Sequence, residues 1–115
     1  MAGRPNKRGR AARAGALTFA QRPIELVLYV SSDSPYAYAA QRDCELLLSR
    51  FDQRRIRFEV CDIRAHPDRA EADAVCFTPM LLKRSPPPRT YVIGHALNSP
   101  ALVELLESSG LELVR

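Results

Sequence analysis

The stretch Thr78-Pro79-Met80-Leu81-Leu82-Lys83-Arg84-Ser85-Pro86-Pro87-Pro88-Arg89-Thr90-Tyr91-Val92-Ile93-Gly94 sets an apolar run on each side of three consecutive prolines. Proline has no N–H to give a strand ladder and its ring fixes φ near −65°, so Pro86, Pro87 and Pro88 must lie outside paired strands. The stretch therefore predicts a β-hairpin with a stiff tip, its strands running over Met80 to Arg84 and Arg89 to Ile93. The Thr-Pro pair ahead of the first strand suggests a cis peptide bond at Pro79.

Upstream, Ile24 to Ser31 is an almost unbroken apolar and β-branched run, the pattern of a strand covered on both faces, which places it at the centre of a sheet. Ser34-Pro35 has the chemistry of a helix start, a capping hydroxyl followed by a residue whose missing donor is harmless at the first helical position. A helix is expected from there to about Phe51, with Ala40, Cys44, Leu47, Leu48 and Phe51 on its inner face. Ile56, Phe58 and Val60 alternate with polar residues as in a half-exposed strand. His66-Pro67 opens a second helix with Ala70, Ala74 and, as a further candidate, Val75 inward and Asp68, Glu71 and Asp73 outward. Ser99-Pro100 opens a third, with Leu102, Leu105 and Leu106 as its stripe and Gly110 as its stop.

The order is strand, helix, strand, helix, strand, strand, helix. A crossover makes the first two strands parallel and the hairpin adds an antiparallel pair, giving a mixed four-stranded sheet with helices on both faces. This α/β order, βαβαββα, is thioredoxin-like. Thioredoxins carry Cys-x-x-Cys at the first helix start, where the helix dipole lowers a thiol's pKa. Here Asp33-Ser34-Pro35-Tyr36 stands in that place, so dithiol chemistry of that kind is absent. Cysteines 44, 61 and 76 read as small core residues, and a metal site is not expected from them. No nucleophile elbow or phosphate loop is found, and no catalytic residue or cofactor is expected.

The net charge of +4 divides unevenly. Residues 1–22 carry six basic residues and no acid, leaving 11 basic against 13 acidic residues in the remainder. The chain is thus expected to be a disordered basic arm, residues 1–22, ahead of one domain over residues 23–115. The arm reads first as a solubilising tail and, as the alternative, as a weak, salt-sensitive contact with nucleic acid or an acidic partner surface. Nothing reads as a secretory or membrane-spanning segment, which points to the cytoplasm.

Taken together, Leu28-Tyr29-Val30 with Ser34-Pro35, Val60-Cys61-Asp62-Ile63, His66-Pro67, Ala70-Glu71-Ala72-Asp73, Thr78-Pro79-Met80-Leu81, the triple proline and Ile93-Gly94 resemble the KaiB family, over residues 24 to about 109. The resemblance implies a non-enzymatic clock component that binds the ATPase ring of KaiC in competition with a thioredoxin-like sensor domain of a histidine kinase. It also implies exchange between a tetrameric ground-state fold and a monomeric thioredoxin-like fold, with Pro79, Pro86, Pro87, Pro88 and Gly94 as candidate switch positions. Lys83 matches a basic position ahead of the prolines, and Lys83, Arg84 and Arg89 are the candidate partner-binding residues. Where the family usually continues Val-Arg-Arg-Ile-Ile-Gly-Asp-Leu-Ser, this chain has Arg89-Thr90-Tyr91-Val92-Ile93-Gly94-His95-Ala96-Leu97-Asn98-Ser99, with Thr90 and Tyr91 in place of two arginines, His95 in place of the acid, and one residue inserted. Thr90, Tyr91 and Val92 favour strand over helix, which selects the thioredoxin-like form. A redox relic using Cys44 or Cys76 is the competing class.

Overall fold

The computed structural model describes residues 22–93 and 100–111. The basic arm up to residue 21, Gly94, His95 and Ser99 lie outside the described residues. Four strands, β1 (Ile24–Val30), β2 (Ile56–Asp62), β3 (Met80–Ser85) and β4 (Thr90–Ile93), form one sheet in the order β2-β1-β3-β4. Among the described residues three α-helices accompany them, α1 (Ala37–Leu48), α2 (Pro67–Ala72) and α3 (Pro100–Ser108), together with a 3-10 turn at Gln53–Arg55. The thioredoxin-like order expected from the sequence is the one observed.

β1 is central because both of its faces are buried. It pairs in parallel with β2, Ile24 opposite Ile56 through Val30 opposite Asp62, and antiparallel with β3, where Tyr29 faces Met80. Alternation then sends Ile24, Leu26, Leu28 and Val30 into a core with Ala40, Cys44, Leu47 and Leu48 of α1, Leu81 of β3 and Leu102 and Leu106 of α3. Val27 and Tyr29 point the other way, onto Ala70 of α2 with Cys61 and Leu82. Each fully buried aliphatic side chain contributes about 1.5 to 3 kcal/mol relative to exposure, so the α1/α3 side carries most of the stability.

The helix ends differ in detail from the sequence expectation. α1 starts at Ala37 because Pro35 and Tyr36 are spent in a turn, where the Ser34 hydroxyl accepts from the Tyr36 N–H at 3.2 Å. It stops at Leu48, and Phe51 reaches the core from the turn beyond. α2 and α3 both close with a Schellman arrangement. In α3 the Leu111 N–H bonds the Leu106 carbonyl at 3.1 Å and Gly110 takes φ 99°. Arg55 donates to the freed Gly110 carbonyl at 2.9 Å.

In α2 the same pattern sits on an alanine. Val75 N–H bonds the Ala70 carbonyl at 2.9 Å, while Ala74 occupies the left-handed position at φ 56°. Ala74 is therefore exposed, and Val75 packs in its place. The hairpin pairs Met80 with Ile93 and Lys83 with Thr90. Thr78-Pro79, Ser85-Pro86 and Pro87-Pro88 are cis.

Candidate docking surface

α2 has only six residues and shields only part of its side of the sheet. Beyond it, Glu25, Val27, Arg57, Glu59 and Arg84 line a shallow depression of ≈ 320 Å³. The charges there are paired. Arg57 lies 3.5 Å from Glu25, its neighbour in register, and Arg69 of α2 grips Glu59 with two hydrogen bonds of 2.5 and 2.7 Å.

The centre of this face is Asp73, which the helical spacing had placed outward. The helix ends at Ala72, the chain turns, and Asp73 caps it instead with 7% of its surface exposed. Its carboxylate accepts from Arg84 at 2.6 Å, from Arg89 at 2.8 Å and from the Tyr29 hydroxyl, while its backbone carbonyl accepts from the Tyr91 hydroxyl at 2.9 Å. One residue thus ties α2 to β1, to β3 and to both sides of the proline tip. Burial alone would raise the Asp73 pKa, but hydrogen bonds from Tyr29, Arg89 and Arg84 outweigh it and hold the carboxyl at about 2. Tyr29 responds in the opposite sense, pushed up to about 12 by burial and by the carboxylate it serves.

The three basic residues expected at a partner surface are distributed unequally. Arg84 and Arg89 lie on this face, side chains 37% and 46% exposed but engaged by Asp73. Lys83 does not lie there. Strand alternation turns it to the Leu81 side, where it is 3% exposed and its Nζ reaches the Ser109 hydroxyl at 3.3 Å. Burial lowers its pKa. Pro86 is buried, whereas Pro87 and Pro88 are exposed at the tip.

The other end of the sheet holds the place where thioredoxins keep their sulfurs. Arg64 pairs with Asp33 at 2.9 Å, and the Asp62 carboxylate accepts from the Ser32 and Arg64 N–H groups at 3.1 and 3.0 Å. Pro79 precedes β3 at this same end, because Met80 sits opposite Tyr29. Cys44 is buried, with its thiol pushed up to about 12 by burial, and Cys61 is buried with a raised pKa of the same cause. Cys76 is exposed, so the expectation that all three cysteines are core residues fails at that position. Tyr36, Tyr38 and Phe77 are also exposed, more than two-thirds each.

The strand order and helix placement define the fold but not the lineage. The KaiB domain family matches residues 27–107. The chain belongs to the KaiB family. Two curated relatives, each described as circadian clock oscillator protein KaiB, come from Gloeothece citriformis and a Nostoc species. The first is 33% identical over 69 residues, 60% of this chain and 65% of its own length, and the second 32% over 75 residues, 65% and 69% respectively. The chain therefore spans just under two-thirds of the first relative.

Among solved structures, the N-terminal domain of Synechococcus elongatus SasA superposes with a TM-score of 0.64 at 22% identity, covering 80% of this chain and 85% of that one. Mitochondrial thioredoxin 3 from Saccharomyces cerevisiae gives 0.62 at 19%, covering 78% and 82%. These likenesses establish the α/β thioredoxin-like fold. Among the described residues no helix is long and apolar enough to cross a membrane.

Proposed function

We propose that this KaiB-family chain is a non-enzymatic adaptor of clock or timing regulation, working in the cytoplasm and docking on a KaiC-like ATPase ring or on a partner related to a sensor histidine kinase. The observation that carries the reading is the KaiB match over residues 27–107 on a skeleton whose dithiol place is Asp33-Ser34-Pro35-Tyr36. With no thiol where the fold keeps its nucleophile, what remains is surface.

The α2 side supplies that surface. Arg84 and Arg89 present the free edges of their guanidiniums around a carboxylate that fixes their direction, and Arg69 adds a third. Pre-set guanidiniums lose little freedom when a partner carboxylate arrives, which favours specificity over raw affinity. Lys83 contributes from beneath the sheet by its packing.

Co-purification tests the proposal. The full chain, tagged and expressed with the KaiC-type ATPase of the same organism, should bring down that ring, and Arg89→Gln should reduce recovery severalfold. Absence of the ring with ATP, with ADP and without nucleotide contradicts the reading.

A further inference from the structure

Beneath α3 lies a buried ammonium. Alternation along β3 puts Lys83 on the same face as Leu81, and the residue is 3% exposed. Its Nζ donates to the Ser109 hydroxyl at 3.3 Å, and that hydroxyl donates in turn to the Leu105 carbonyl at 2.8 Å, which links β3 to the C-terminal end of α3. Among the described residues this is the only hydrogen bond of the Lys83 side chain, and it forms no ion pair. An ammonium carries three donors, so two are left over.

The surroundings supply no counter-charge. Leu26 of β1 and Thr90 of β4 stand opposite Lys83 in register. Glu25, next to Leu26, turns to the α2 face beside Arg57, and Arg89, next to Thr90, is engaged by Asp73. α3 brings Leu102 and Leu106 to the core on this side of the sheet, while Glu104 and Glu107 are exposed. α1 adds Leu47, Leu48 and the Cys44 thiol, which stays neutral with its pKa pushed up to about 12. Among the described residues the other charge close by is itself a cation, Arg55, bonded to the Gly110 carbonyl next to Ser109. A buried charge with neither an opposite charge nor hydration is costly, and burial lowers the Lys83 pKa accordingly.

We propose that Lys83 is a proton-operated latch on α3: taking up a proton lifts the helix off the sheet as a local unit, and losing it lets the helix close. The open state returns the ammonium to water but strips Leu102 and Leu106 from the core, so it is a minority species at every pH. In that state Lys83 titrates at its ordinary 10.5, above its value in the docked helix. As pH falls below 10.5 the open population therefore rises by up to about tenfold per unit, and it levels off once the docked-state value is passed. Ser109 holds the only acceptor given to the docked ammonium, so its loss should widen the opening at neutral pH.

Pulse-labelling hydrogen exchange of the full chain measures the opening, read by mass spectrometry on α3 and α1 peptides between pH 7 and 10 and divided by the intrinsic exchange rate. The α3 open population should be at least about threefold larger at pH 7 than at pH 10. Lys83→Met should make it smaller at pH 7 and independent of pH, and Ser109→Ala should raise it severalfold at pH 7 and less at pH 10. Peptides from α1 should show none of these changes. An α3 opening that does not vary with pH in the wild type, a pH dependence that survives Lys83→Met, or α1 opening in step with α3 overturns the proposal.

Discussion

Replacing Asp73 by asparagine isolates the charge at the centre of the α2 face while preserving shape and an acceptor for Tyr29. In the folded chain the carboxyl titrates at about 2 against an ordinary 3.8. At 1.36 kcal/mol per pKa unit, that difference amounts to about 2 kcal/mol favouring the ionised, folded form at pH 7. Asp73→Asn should therefore lower the unfolding free energy by about 2 kcal/mol. Asp73→Ala should cost about 1 to 3 kcal/mol more, because it leaves the buried Tyr29 hydroxyl with only its long 3.4 Å contact to the Arg69 carbonyl. The sign with pH follows from a depressed folded pKa: the stabilisation is complete above the unfolded value and is lost as pH falls from about 4 through about 2. Urea unfolding of wild type and Asp73→Asn across pH 7 to 3 tests both size and window. Other carboxylates titrate equally in the two chains and cancel in the difference. The gap should shrink by about 1 kcal/mol on reaching pH 3. A gap below about 0.5 kcal/mol at pH 7, or one that does not change with pH, would refute the role assigned to Asp73.

Native-state thiol labelling should modify Cys76 at once and reach Cys44 and Cys61 only after denaturation, one equivalent followed by two; three equivalents in the native state would mean that the core is open. Ala74→Gly should raise stability by about 1 kcal/mol in thermal unfolding, since glycine takes the left-handed backbone at φ 56° without penalty; a loss would show that the α2 cap is not formed as described. Lys83→Met should be neutral or stabilising at pH 7, because it removes an ammonium whose pKa is lowered by burial. The wild-type disadvantage should fade as pH rises toward 10.5, and a cost above about 1 kcal/mol for Lys83→Met would contradict the buried placement.

The elements that were legible in the sequence are those with a long, consistent period. β1 announced a central strand by being apolar on both faces, and the triple proline located the hairpin turn, which takes in Arg89 as well because β3 runs to Ser85 and β4 begins only at Thr90. The α1 face from Ala40 to Leu48 followed the 3.6-residue repeat into the core it occupies. Asp73 was misread because the wheel was continued past Ala72, and a helix that stops one residue earlier turns an outward acid into a buried cap. Two signals pointed the right way. Tyr29 in a fully covered strand needs a partner for its hydroxyl, and Arg84 and Arg89 on either side of the tip need a counter-charge. Lys83 was legible too: two residues after Leu81 in a strand it shares that residue's face, and Leu81 is fully buried. Cys76 looked apolar by composition and is exposed because it follows the left-handed reversal at Ala74, which no spacing rule announces.

The proposed docking role requires binding to an ATPase ring, and a fluorescence anisotropy titration of the labelled full chain with the KaiC-type ring measures it most directly. Saturable binding with a dissociation constant around 10 µM or tighter, weakened by Arg89→Gln and indifferent to Cys76→Ser, is the expected result. No change in anisotropy up to about 100 µM ring in any nucleotide state, with disulfide reductase turnover by the same preparation, would contradict it.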